Sequence, residues 1–138
     1  MTRLHKLILG AAGLTALGIG LGITFMPQDF QASYGIVANT NPAALSELRA
    51  PGANLAMLGA VILAGAVRTG MAGLSAALGT LVFFAFAGGR LVSLALDGWP
   101  GEAIASALVI ELVFGGLCLW TWRGLGVSRQ GQVAVHAR

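Results

Sequence analysis

Between Leu7 and Met26 the chain carries no charged residue. A helix needs about 20 apolar residues to cross a hydrocarbon core, and in lipid a spanning segment must satisfy its own backbone polar groups. That stretch therefore predicts a membrane-crossing helix. Three further stretches approach the same length: about 53–67, which is short unless it reaches back to Pro42, about 73–96, and about 103–122. Hydrophobic residues make up 57% of the chain and charged residues 9%, with a mean hydropathy of +0.83, outside the range of ordinary soluble domains. The expected fold is all-α and membrane-integral: an antiparallel four-helix transmembrane bundle with a structured outer loop between the first two spans. Residues 1–126 would form the bundle and 127–138 a basic, loosely ordered tail.

Arg3, His5 and Lys6 before the first apolar run resemble the start of a signal peptide, but the run is too long for one and no A-x-A-like site follows. Pro27 instead marks the end of a helix. With four spans, six of the eight basic residues (Arg3, Lys6, Arg68, Arg123, Arg129 and Arg138) fall on one side, and none of the five acids does. The positive-inside rule then places both termini in the cytoplasm, and the protein is expected in a bacterial inner (plasma) membrane as a multi-pass protein. Trp99 would mark the outer boundary, and Trp120 and Trp122 the inner one. The pI near 10.0 does not indicate nucleic acid, because the basic residues form no face and are not interleaved with aromatics. The tail's partner is at most anionic lipid. Cys118 lies alone in an apolar segment, so neither a disulfide nor a CxxC site is available.

The long outer connection holds a helix start at "NPAALSELRA", with Asn41 as N-cap and Pro42 at the first helical position. Pro51 should kink or break that helix. Lipid tails supply no hydrophobic force between helices, so the spans must associate through small residues. Candidate rows are Gly18 and Gly22; Ala12, Ala16 and Gly20; Ala56, Ala60 and Ala64; Ala72 and Ala76; and Ala85 and Gly89. A homodimer face is the alternative use of such rows.

Arg90 interrupts the third span. A charge at a membrane helix centre costs about 2.5–3.5 kcal/mol on insertion scales. Arg90 lies seven residues before Asp97, so about 10 Å deep, and Glu111 nine residues after Glu102, so about 13 Å deep from the same side. Side chains lean toward a helix N-terminus, which brings the two together on antiparallel neighbours. An Arg90–Glu111 pair is expected, with snorkelling of Arg90 as the alternative. Asn54, Ser93, Asp97, Glu47 and Arg49 sit near the same level and complete a candidate polar pocket in the outer half, closed above by the loop. The inner half offers only hydroxyls, which can bond their own helices.

That asymmetry argues against an ion-coupled transporter, which needs ionisable groups through the membrane. With His5 and His136 assigned to the termini, no span holds a histidine for haem. No His, Cys and carboxylate set has metal spacing, and GxSxG, P-loop and HExxH motifs are absent. No catalytic residue, metal or cofactor is assigned, and an enzyme is not the favoured class.

"ELRAPGAN" (47–54), "GGRLVSLALDGWP" (88–100) and "IEL" (110–112) together resemble the recurring motifs of a bacterial family of small four-span membrane proteins, domain of unknown function 4345. The resemblance covers roughly residues 20–120. It implies that Glu47, Arg49, Arg90, Asp97, Gly98 and Glu111 are the residues to watch, and it implies no reaction. Relatives tend to have an aromatic–Gly–Gly run where this chain has Pro51, Gly52, Ala53 and Asn54. A weaker similarity, at the level of fold alone, is to DoxX-type membrane proteins, which are linked to quinone or thiol chemistry. The expected function is binding of a lipid-like, quinone-like or other small amphiphile around Arg90 and Glu111. The alternative is a structural or accessory subunit of a larger membrane complex, or a homo-oligomer.

Overall fold

The computed structural model of the protein describes residues 1–38 and 40–136, with side chains through residue 126. The division into bundle and tail at residue 126, and the assignments of Arg129, His136 and Arg138, rest on side chains outside the described ones. Five α-helices follow one another: α1 (Arg3–Phe25), α2 (Pro27–Ser33), α3 (Pro42–Val67), α4 (Ala72–Asp97) and α5 (Glu102–His136), with a 3₁₀ turn at Thr69–Met71 before α4. The segments Arg3–Phe25, Pro42–Val67, Thr69–Asp97 and Glu102–Gly126 are each long and apolar enough to cross a membrane.

Local chemistry sets most of the boundaries. The Thr2 side chain accepts from the His5 backbone N–H and starts α1. Its first turn thus takes in His5, which is buried. The assignment of His5 to a terminus outside the spans is therefore corrected. Pro27 opens α2, where its missing N–H is no loss. Asn41 Oδ1 accepts from Ala43 N at 2.9 Å, and Pro42 opens α3. The second span does reach back to Pro42, but Pro51 lies inside α3 and does not break it. The carbonyl that Pro51 leaves free belongs to exposed Glu47 near the helix start, where water can satisfy it. Between α4 and α5, Gly98 and Gly101 both adopt φ +92°, a backbone region essentially reserved for glycine.

The spans pack antiparallel in sequence, α1 against α3, α3 against α4, and α4 against α5. Gly13 faces Leu63, Gly20 faces Ala56, and Gly59 faces Leu17; a Cβ on any of the three glycines would run into the partner's backbone. Two of the expected small-residue rows are buried in the seams, Ala12, Ala16 and Gly20 in α1 and Ala72 and Ala76 in α4; the other rows are corrected. Gly18 and Gly89 have nothing within 4 Å of a Cβ position, and Ala60 and Ala85 are exposed. The helical phase turns Gly13, Ala16 and Gly20 inward together with Ala56 and Gly59, so Gly18 looks outward. Ser75 donates to the Val61 carbonyl at 2.7 Å across the α3–α4 seam. Gly79 lies against Cys118, and Gly115 against the Phe84 ring, along the α4–α5 seam. The core comprises small residues with Leu9, Ile62 and Phe83. His5 meets Trp120 and Gly124, so the start of α1 and the inner part of α5 share one end of the bundle.

Candidate functional site

The α4–α5 seam carries the polar centre of the bundle. Arg90 Nε donates to both carboxylate oxygens of Glu111, each at 2.9 Å. A single N–H shared by two oxygens suits an ionised carboxylate, which accepts at both. Antiparallel packing places the two side chains at one level, and along the same seam the Phe83 and Phe114 rings lie tilted with centroids 5.1 Å apart. The Glu111 side chain is 11% exposed and that of Arg90 27%, so the guanidinium reaches from the seam into open space. Among the described residues its terminal nitrogens have no hydrogen-bond acceptor, which leaves their donors uncommitted.

Three adjoining cavities meet at Arg90. The first is a chamber of about 140 Å³ between α1, α4 and α5. Glu111 and Arg90 form its polar side, while Phe30, Phe83 and Phe86 make the walls and the Tyr34 ring covers it. The second, about 160 Å³, lies beneath α2, with Pro27, Phe30, Tyr34 and Leu48 in its lining. The third is a groove of about 510 Å³ between α4 and the start of α5, bounded by Phe86, Gly89, Ser93, Pro100 and Ile104. α2 contributes a cover: the Phe30 and Tyr34 rings are tilted against each other with centroids 5.2 Å apart and line the same two cavities as Arg90.

The residues expected from sequence divide into two sets. Arg90, Glu111 and Ser93 meet at these cavities. Asp97 does not line them; it accepts a hydrogen bond from Ser93 Oγ at 2.8 Å on the exposed face of α4. Glu47, Arg49 and Asn54 are exposed on α3 and line none of the three, so the pocket does not include them. Successive helical residues are about 100° apart, and it is Leu48, between Glu47 and Arg49, that points inward. Nothing in the sequence singles out Phe30, Tyr34 or Thr15 for this site. Their positions follow from how α2 folds back over α1, which no local pattern reports.

A second polar locus lies at the opposite end. The His5 ring stands edge-on to Trp120 at a centroid distance of 5.0 Å. Among the described residues, Nδ1 of His5 and Oγ1 of Thr121 are buried without a partner. Thr121 therefore does not bond its own helix, unlike Thr80, which donates to the Ala76 carbonyl at 2.8 Å. Among the described residues, no three His, Cys, Asp or Glu side chains come together as a metal site would require.

Neither the curated proteins nor the solved structures contain a significant match to the chain. A family profile, described as Domain of unknown function (DUF4345), matches residues 4–122. That stretch runs from the first turn of α1 into the last turns of the apolar part of α5, and so takes in nearly all of the four apolar segments, α2 and the Arg90–Glu111 pair. The chain belongs to the family of domain of unknown function 4345.

Proposed function

We propose that this protein binds a lipid-like or other small amphiphilic molecule in the chamber at Arg90. The observation that carries this reading is the guanidinium itself. Its Nε is tied to Glu111 while the side chain lines three largely apolar cavities. An apolar pocket with a few convergent polar groups is the usual form of a small-molecule site, and an ionisable group within a membrane span is functional by default. The pair then lies inside the membrane, in the outer half of the bundle. The orientation rests on charge: Arg3, Lys6, Arg68 and Arg123 gather at the end where α1 starts, which the positive-inside rule assigns to the cytoplasm. The membrane is then a bacterial inner membrane, with both termini cytoplasmic.

The test is to purify the wild-type chain and two variants gently from native membranes and analyse their organic extracts by mass spectrometry. Arg90→Met removes the donors. Ala107→Phe fills the chamber, which Ala107 lines, and leaves both charges in place. A small molecule retained by the wild type and lost from both variants supports the reading. A small molecule retained equally by all three contradicts it. Protein partners recovered with no small molecule would favour the accessory-subunit alternative.

A further inference from the structure

Charge balance at the chamber narrows what it can hold. Resting on the ligand-binding reading above, we infer that the site selects an uncharged head group bearing a carbonyl oxygen on a flat, ring-sized body, and that Glu111 is the residue that rejects anions. Arg90 and Glu111 are the charged residues in the chamber wall, and they neutralise each other across 2.9 Å. An anion entering would leave the site with a net negative charge in a low-dielectric setting, where a charge without a partner is costly. A neutral acceptor meets no such cost. The terminal guanidinium nitrogens can only donate, while the Thr15 and Tyr34 hydroxyls in the lining can donate or accept, so it is the guanidinium that requires an acceptor of the head.

Size and shape agree with this. The chamber of about 140 Å³ is comparable to the roughly 150 Å³ apolar cavity that takes up benzene. The Phe30, Tyr34, Phe83 and Phe86 rings all line the chamber and offer aromatic surface to a flat head, in offset or edge-to-face contact. An alkyl tail has an exit: the groove past Phe86, Gly89 and Ile104 adjoins the chamber at Arg90 and runs along the outer ends of α4 and α5.

Three probes with the same ring and a similar tail separate the terms: decanophenone, with a neutral ketone; decylbenzene, with no acceptor; and para-decylbenzoate, an anion at neutral pH. Each is measured by equilibrium dialysis against the purified chain in dodecyl maltoside, with Ala107→Phe correcting for micelle uptake. The expected order in the wild type is decanophenone first, tighter than either other probe by about tenfold, the worth of one good polar contact or one charge conflict. In Glu111→Gln, which keeps an oxygen to accept from Arg90, para-decylbenzoate should gain about tenfold and draw level with the ketone. Para-decylbenzoate binding the wild type as tightly as decanophenone would overturn the selectivity and leave the chamber reading intact. Failure of all three to bind above the Ala107→Phe background would overturn both.

Discussion

At the scale of single residues, Arg90 and Glu111 depend on each other more than the bundle depends on them. Removing one partner leaves a buried charge uncompensated, whereas replacing both by apolar groups is often tolerated. Arg90→Met, which strands the buried Glu111, should lower stability by about 3–5 kcal/mol, Glu111→Leu by less because Arg90 is 27% exposed, and the double variant by clearly less than the sum. Unfolding of the four proteins in detergent checks this; additive losses would mean that the two side chains are energetically independent. Gly98 is a second residue with a sharp demand. At φ +92° and ψ −160°, an alanine would cost about 1–3 kcal/mol, read as a fall in Tm for Gly98→Ala. The pair was legible in the sequence because depth is simple arithmetic: residues counted inward from two acidic helix ends. Glu47, Arg49 and Asn54 were expected there for their place near the outer start of the second span and yet lie outside the site, because nearness along the chain does not report the direction in which a side chain points.

At the scale of elements, the α1–α3 contact is the tightest in the bundle, and it rests on three glycines that meet backbone. Gly59→Val should separate α1 from α3 and cost about 1–3 kcal/mol or more, while Gly18→Val, with open space around it, should leave thermal stability unchanged. Equal effects of the two would contradict this pairing of helix faces. Small residues are plentiful enough in α1 that spacing alone allowed both Ala12–Ala16–Gly20 and Gly18–Gly22; the choice between them depends on the face that α3 presents. The start of α3 was plain from Asn41 and Pro42, since capping is local, whereas Thr2 was not singled out and Pro27 marked only the end of a helix. The persistence of α3 through Pro51 was not plain, because it turns on an exposed carbonyl and on Gly52 packing closely against Ile23. The role of α2 as a cover was equally hidden: its seven residues, Pro27–Ser33, acquire a function only through the helices below.

At the scale of the whole molecule, four apolar spans and their antiparallel order followed from length and hydropathy alone, since the bilayer permits few alternatives. The distribution of charge adds an orientation that labelling can check. Cysteines introduced at Ser33 and Thr69, both exposed and at opposite ends, should react differently in intact cells: Ser33→Cys with a membrane-impermeant maleimide directly, Thr69→Cys only after permeabilisation. Cys118 is buried and should contribute little background. The reverse pattern would invert the protein and move the Arg90 chamber to the cytoplasmic half. Occupancy of the chamber by a small molecule can be read straight from native mass spectrometry of the wild-type chain released from its own membranes. A discrete mass should be added to the chain, stripped by collisional activation and missing from Ala107→Phe. A chain that flies bare, or whose added mass is unaltered by that substitution, would show that the chamber holds no such ligand.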